Sequence, residues 1–181
     1  MIRFPNDGDA VKRTTGIVPA SGDYTCTFIW RCTGDPTQSR ILFVTLDDPG
    51  VYDDWVYIVS GGASAIHLAV GHNGVEEETA SESFIQNETY PVGYVREGST
   101  HRFYFKNILV GDLTEDISSG VTFGETWLGD DNFTNAGQQQ FMNFREWSRA
   151  LTTEEVLAEL ASSLVVDNTD LETDTPLAND L

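Results

Sequence analysis

Residues 24–32, Tyr-Thr-Cys-Thr-Phe-Ile-Trp-Arg-Cys, decide the class of fold that the sequence predicts. Apolar and aromatic side chains occupy every second position from Tyr24 to Cys32, and polar ones alternate with them except at Ile29. Successive side chains of a β-strand point to opposite faces of the sheet, so this alternation predicts a strand with one buried face. The turn-forming residues 34–36, Gly-Asp-Pro, end the strand.

Segments of the same kind recur along most of the chain, at intervals of roughly 8–12 residues and with Gly, Asn, Asp or Pro between them. The Asn-Gly pair at residues 73–74 is a strong hairpin signal, and the second strand of that hairpin is predicted to begin near Val75. This spacing predicts an antiparallel sandwich rather than a fold of alternating strands and helices. The other predicted strands comprise residues 41–46, 55–59, 66–70, 91–95, 101–105, 108–110, 127–129 and 141–147.

One helix is predicted near the carboxyl end, after Thr152. Thr152 and Glu155 have the spacing of a capping box, in which each side chain hydrogen-bonds the backbone N–H of the other residue. Leu151 before the cap and Val156 in the helix are placed to form a hydrophobic staple. The apolar face of the helix comprises Val156, Leu157, Leu160 and Leu164.

The composition limits the classes of function. The chain has 181 residues, enough for one domain, and its 29 Asp and Glu against 10 Lys and Arg give a net charge of −19. Such a surface repels phosphate backbones and anionic lipid headgroups, so we predict neither a nucleic-acid partner nor binding to a membrane surface. The sequence also has no run of about 18 apolar residues that could insert into a membrane.

We divide the chain into a sandwich domain at residues 1–163 and an acidic C-terminal tail at residues 164–181. The tail has no Lys or Arg, and two interpretations stay open: a flexible extension, or a docking arm that orders on a neighbouring subunit through its spaced leucines. The residues after Met1 lack the apolar segment of a secretory signal. We therefore expect the protein to act on the surface of an assembled particle such as a virion, or to reach the outside of a cell by another route.

Residues 141–152, Phe-Met-Asn-Phe-Arg-Glu-Trp-Ser-Arg-Ala-Leu-Thr, resemble the closing motif of laminin G-like jelly rolls, which belong to the concanavalin A-like lectin and glucanase superfamily. Residues 98–110 are similar to an upstream hairpin of that family, with Ile108 in place of its usual Gly. The resemblance implies an all-β, two-sheet antiparallel jelly-roll sandwich with one short C-terminal helix, over residues 1–163. The matching positions of the closing motif are Arg145, Trp147, Arg149, Ala150, Leu151, Thr152 and Glu155.

Sugar binding in folds of this kind typically uses an exposed aromatic side chain as a stacking platform, beside Asn, Asp and Gln side chains that hydrogen-bond the hydroxyl groups. The candidates are therefore aromatic residues at strand ends and the polar loop before the closing strand. Packing in the core is the alternative for each tryptophan. The residues predicted to bind a glycan are Tyr52, Trp55, Trp127, Asn132, Phe133, Asn135 and Gln138.

Two acidic clusters are candidate calcium sites. Calcium binds several carboxylate and carbonyl oxygens supplied by irregular backbone, and many relatives in the superfamily carry it on their loops. Ordinary use of Asp in turns is the alternative, and it stays open. The predicted ligands are Asp47, Asp48, Asp53 and Asp54 in one loop cluster, and Asp130 and Asp131 in the other.

The sequence lacks the catalytic pattern of the glucanases in this superfamily, which place carboxylates on one strand as Glu-x-Asp-x-x-Glu. The nearest approach to it, residues 76–78 (Glu-Glu-Glu) followed by Glu82, has no Asp at the required position. Glu76 and Glu78 share a strand face, so a degenerate carboxylate pair stays open as a minor alternative. We therefore predict that the protein is not an enzyme.

Two main hypotheses about function follow. The first is a non-catalytic recognition module that binds glycans while it is displayed on a larger assembly such as a phage or virus particle. The second is a structural decoration or cement protein of a virion, which uses the sandwich for protein–protein contacts. A glycan-cleaving enzyme is a minor third hypothesis. The expected partners are a glycan or neighbouring structural subunits, with the tail as a docking arm, and calcium is the one candidate cofactor.

Overall fold

The computed structural model describes residues 2–4, 10–13, 22–37, 39–48, 51–61, 64–72, 75–114, 125–129 and 138–163. These residues form thirteen β-strands and one α-helix. The strands are β1 (Ile2–Phe4), β2 (Ala10–Arg13), β3 (Tyr24–Cys32), β4 (Arg40–Asp48), β5 (Val51–Gly61), β6 (Ala65–His72), β7 (Val75–Glu78), β8 (Glu82–Ser83), β9 (Thr89–Glu97), β10 (Thr100–Phe105), β11 (Ile108–Thr114), β12 (Glu125–Gly129) and β13 (Gln139–Trp147), and the helix is α1 (Thr153–Ser163).

The strands form two antiparallel sheets. Sheet A has six strands in the order β1-β13-β3-β9-β10-β11, and sheet B has seven, in the order β2-β12-β4-β5-β6-β7 with β8 paired to β6. Strands that are neighbours in a sheet are often distant in the sequence, as in the pairing of β13 with β3, and this is the connectivity of a jelly roll. The prediction of an all-β, two-sheet jelly roll with one short helix is confirmed.

The inner faces of the two sheets pack together in one hydrophobic core. The aromatic and cysteine side chains of β3 all belong to it, which confirms the predicted buried face, and both cysteines are free thiols. Full burial of a side chain such as that of Phe28 stabilises the fold by roughly 1.5–3 kcal/mol. Sheet B contributes Leu42, Phe43, Val56, Ile58, Ile66, Leu68, Val70 and Leu128 to this core.

The other face of β3 is also buried, so the prediction of a single buried face was wrong. Thr25, Thr27 and Ile29 are at most 2% exposed. The cause is non-local, because α1 packs across β3 and β9 on the outer face of sheet A. The Thr25 hydroxyl donates to the carbonyl of Arg149 at 2.9 Å and accepts from the N–H of Leu151 at 2.9 Å, so it fixes the chain that leads into the helix.

The helix begins as predicted. The N–H of Thr152 donates to Glu155 Oε2 at 2.9 Å and the N–H of Glu155 donates to Thr152 Oγ1 at 3.2 Å, which confirms the capping box. Val156 and Leu160 are fully buried against sheet A, in a second hydrophobic cluster. Gly93 of β9 permits this approach, since a Cβ there would lie 3.2 Å from Val156 Cγ1. Within the described residues, no helix is long and apolar enough to cross a membrane.

Candidate functional site

The outer face of sheet B carries a stacked aromatic pair. Trp55 and Tyr57 alternate along β5 with core residues, and their ring centroids lie 4.3 Å apart with planes at 15°. Both side chains are partly exposed. Every other Phe, Tyr or Trp whose side chain the structure describes belongs to, or packs against, one of the two hydrophobic clusters. Trp55 and Tyr57 therefore provide aromatic surface that the fold does not use for its core.

Gly71 of β6 determines where the indole of Trp55 lies. Gly71 is the cross-strand partner of Trp55, and a Cβ built on it would lie 2.1 Å from Cε2 and 2.5 Å from Nε1 of that indole. No alanine can occupy position 71 with the ring where it is, because carbon atoms in contact are about 3.5–4.0 Å apart. The indole thus rests against the backbone of β6, and the aromatic surface extends over two strands.

Two carboxylates stand at the edge of the same face. Glu76 and Glu78 lie on the edge strand β7, where both are exposed, and each occupies a register row that contains one of the two aromatic residues. Adjacent strands are about 4.8 Å apart, so each aromatic Cα is about 10 Å from the Cα of the carboxylate in its row. The rows are Trp55–Gly71–Glu76 and Tyr57–Ala69–Glu78.

The edge of this face is electrostatically negative. Desolvation by surrounding protein atoms, and then a hydrogen bond and charge repulsion from Glu78, raise the pKa of the Glu76 carboxyl. His67 Nε2 lies 3.5 Å from Glu78 Oε1, which makes the imidazole the nearest described basic group. From residue 41 to residue 95 the sequence has no Lys or Arg, so β5, β6 and β7 carry no fixed positive charge.

Glu76 and Glu78 occupy alternate positions of β7, so they lie on one face of the strand as the sequence predicted. A retaining glycosidase needs two carboxyls about 5 Å apart, and an inverting one needs a wider gap, because the scissile bond lies between them. Glycan cleavage by this pair stays a minor alternative.

The structure places four of the seven residues predicted to bind a glycan. Trp55 belongs to the stacked pair, and Tyr52 lies earlier on the same strand, β5. Trp127 of β12 pairs with Val44, which pairs with Tyr57, so its backbone occupies the Tyr57 row. Gln138 is the fourth, and the other three, Asn132, Phe133 and Asn135, lie outside the described residues. Sequence reasoning did not select Tyr57, although its parity matched that of Trp55.

Gln138 is remote from the aromatic pair. Its backbone, with φ at 69°, turns so that the carbonyl accepts the N–H groups of Thr33 at 2.7 Å and Gly34 at 2.9 Å. A Cβ on Gly34 would contact both Gln138 and Arg40, and Arg40 pairs with Ser60 of β5. Five residues of strand separate position 60 from position 55, a distance of about 17 Å. The structure therefore does not bring Gln138 and Trp55 into one site.

The first acidic cluster lies on strands rather than in a loop. β4 continues to residue 48 and β5 starts at residue 51, and Asp48 pairs with Val51. This corrects the expected loop position of Asp47, Asp48, Asp53 and Asp54, and Asp130 and Asp131 lie outside the described residues. Among the described side chains, no group of three or more His, Cys, Asp or Glu could hold a metal ion. Calcium binding stays a prediction.

A cleft lies at the amino end of α1, with a volume of about 300 Å³. Polar groups of its lining already have partners: Arg102 donates to Glu97 at 2.5 Å, and Thr152 pairs with Glu155 in the capping box. The cleft has no aromatic side chain in its lining, which comprises Glu97, Arg102, Ala150, Leu151, Thr152 and Thr153. It is therefore a weaker candidate than the outer face of sheet B.

No protein-family model matches the sequence, and no curated protein matches it. Solved structures do resemble the fold. Domain 4 of AbnA, a GH43 extracellular arabinanase from Geobacillus stearothermophilus, in complex with arabinotriose, is 17% identical with a TM-score of 0.72, covering 87% of this chain and 75% of that one. The Ruminococcus gnavus IT-sialidase CBM40 bound to alpha2,3 sialyllactose is 11% identical with a TM-score of 0.67, covering 87% and 94%.

Two further structures widen the comparison. The heptameric SAP-like pentraxin of Limulus polyphemus is 15% identical with a TM-score of 0.63, covering 86% of this chain and 78% of that one. The binding domain of botulinum neurotoxin serotype D is 11% identical with a TM-score of 0.68, and this chain covers 42% of its length. At such identities the likeness concerns the fold, and the chain shares the jelly-roll sandwich of lectin-like and carbohydrate-binding domains.

Proposed function

We propose that this protein is a non-catalytic glycan-binding module and that the glycan binds on the outer face of sheet B. The observation that carries the proposal is the partly exposed Trp55–Tyr57 pair, which belongs to neither hydrophobic cluster. The C–H face of a sugar ring is apolar and packs on aromatic rings, and binding sites combine such surface with a few polar groups that fix orientation.

The polar groups of this face stand where an oligosaccharide would meet them. Glu76 and Glu78 lie two strands from the aromatic pair, and His67 lies beside Glu78. Their oxygens and ring nitrogen can accept or donate hydrogen bonds to sugar hydroxyls. A glycan stacked on Trp55 and extending across β6 would reach the edge strand β7, so one ligand would contact both kinds of group.

The structural neighbours support the same function without assigning a ligand. Two of them hold an oligosaccharide, arabinotriose in one and sialyllactose in the other. Within this lectin-like group we propose a laminin G-like domain at residues 1–163, because residues 141–152 carry that closing motif. We also propose display on a larger assembly such as a virus particle, with the acidic tail at residues 164–181 as the docking arm.

The test is binding to a glycan array, followed by titration calorimetry with the glycans that bind. We expect Trp55→Ala to weaken binding about tenfold or more, which corresponds to the loss of one aromatic contact worth about 1.4 kcal/mol. The matched control is Ile85→Ala, which removes an exposed apolar side chain from the segment between β8 and β9 and should leave affinity unchanged. A lower glycan affinity of Trp127→Ala would show that the site extends along the register row of Tyr57 to β12.

Three results would contradict the proposal. If the protein binds no glycan on the array, the glycan-binding hypothesis is contradicted, and the hypothesis of a structural decoration protein is favoured. In that case truncation after Ser163 should abolish assembly with neighbouring subunits. Equal affinity of the wild type and the Trp55→Ala variant would show that the glycan does not bind at Trp55. Release of new reducing ends from a bound glycan, lost in Glu76→Gln, would support the glycan-cleaving alternative.

A further inference from the structure

The outer face of sheet B combines a stacking surface with a charge of one sign. Each aromatic residue of the stacked pair shares a register row with one carboxylate of β7. A sugar that stacks on Trp55 and runs across β6 would therefore present its substituents to Glu76 and Glu78. Because the aromatic residues and the carboxylates share these rows, the charge of Glu76 and Glu78 affects which sugars can bind.

Among the described residues, the basic group that contacts the carboxylate pair is the imidazole of His67, 3.5 Å from Glu78. Glu76 and Glu78 occupy alternate positions of β7, about 7 Å apart along the strand, so two like charges are neighbours on one face. The one other basic residue in the sequence of β5, β6 and β7 is His72, at the end of β6. Lys12 of β2 pairs with Trp127 and so lies in the Tyr57 row, but at the opposite edge of sheet B. Five strand spacings, about 24 Å, separate it from Glu78.

From these observations, and resting on the proposed function, we infer that the outer face of sheet B selects glycans by charge: sugars with a protonated amine bind better than neutral ones, and neutral ones better than sugars with a carboxylate. An ammonium group relieves the repulsion between Glu76 and Glu78, whereas a second carboxylate close to them adds to it. The fold likeness to the CBM40 that is bound to sialyllactose would then not extend to an acidic ligand.

The experiment compares three β1,4-linked tetrasaccharides that differ in charge: tetramers of glucosamine, glucose and glucuronic acid. Titration calorimetry at pH 6 and low salt should give an affinity for the glucosamine tetramer about tenfold above that for the glucose tetramer, as one contact between exposed opposite charges allows. The glucuronic acid tetramer should bind about tenfold more weakly than the glucose tetramer. Both differences should shrink in salt at about 0.5 M, because salt screens exposed charges.

Matched double variants assign the effect to the two carboxylates. Glu76→Gln with Glu78→Gln should bring the three affinities within about threefold of one another. Glu77→Gln with Glu82→Gln removes the same charge from the same edge of the sheet, but in rows that contain the core residues Val70 and Ile66. This control should keep the charge order of the wild type.

The outcomes separate the inference from the proposed function. Equal affinities for the three tetramers, with a loss on Trp55→Ala, would overturn charge selection and leave glycan binding in place. A charge order that survives Glu76→Gln with Glu78→Gln would also overturn the inference, because the net charge alone would then produce it. Binding of none of the three tetramers would overturn it as well, and the array then decides whether the protein binds glycans.

Discussion

Replacing Gly71 by alanine should break the aromatic surface while leaving the fold intact. The added Cβ would lie 2.1 Å from Cε2 of Trp55, so the indole must move by roughly 1.5 Å to reach an ordinary carbon–carbon contact. Loss of the stacking between Trp55 and Tyr57 costs about 0.5–1.5 kcal/mol. Replacing a glycine in a strand by alanine raises the free energy of unfolding by about 0.5–1 kcal/mol, because alanine loses less backbone entropy on folding.

The two contributions nearly cancel, so the net change in the free energy of unfolding should be at most about 1 kcal/mol. In a chain of this size the melting temperature would then shift by no more than about 4 °C. The near-ultraviolet circular dichroism of the tryptophans should change, since the stacked arrangement of Trp55 is lost. Affinity for glycan should fall by the same factor as in Trp55→Ala.

Gly111→Ala is the matched control for this substitution. Gly111 lies in strand β11, and a Cβ there would lie 3.4 Å from Thr79, which is an ordinary contact. This variant should be as stable as the wild type or slightly more stable, with unchanged spectra and glycan affinity. If Gly71→Ala also keeps the spectrum and the affinity of the wild type, the role assigned to Gly71 and to the Trp55 indole is wrong.

Three further predictions concern charge. The pKa of Glu76 is raised above its ordinary value of 4.5, so its ionisation opposes folding, and Glu76→Gln should raise the melting temperature at pH 7 with no gain at pH 3. The pKa of Glu155 is lowered to about 2, chiefly by its hydrogen bond with Arg149, so that carboxylate stabilises the fold above pH 4.5. Melting curves should therefore show the advantage of the wild type over Glu155→Gln disappearing as the pH falls towards 2. If calcium binds at the predicted aspartates, the melting temperature should rise with calcium and fall again with chelator. No change at millimolar calcium would mean that those aspartates are ordinary strand and turn residues.

Local signals in the sequence predicted most elements of the fold, but not the short strands β1, β2 and β8. The alternation in residues 24–32 marks β3, and the spacing of Thr152 and Glu155 marks the start of α1, because both depend only on neighbouring residues. The burial of Thr25 and Thr27 could not be predicted in this way, since it results from α1 folding over a strand more than a hundred residues earlier in the chain.

The candidate site depends on register between strands, which is also non-local. Trp55 was selected from the sequence as an aromatic residue at a strand end, but its position opposite Gly71 follows from the pairing of β5 with β6. The alignment of Glu76 with the same row follows from the register of β6 and β7, in which His72 pairs with Val75 and Gly71 with Glu76. The sequence patterns located these residues separately, and the sheet brings them together.

The most direct test of glycan binding at this face is a map of backbone amide shifts in the nitrogen-15 NMR spectrum of the 20.0 kDa protein during titration with the tightest-binding oligosaccharide of the array. We predict that the amides of β5, β6 and β7 near Trp55, Gly71 and Glu76 shift with the glycan concentration, while those of α1 do not. Shifts confined to α1 and sheet A, or to the cleft beside Arg102, would contradict the placement of the binding site on the outer face of sheet B.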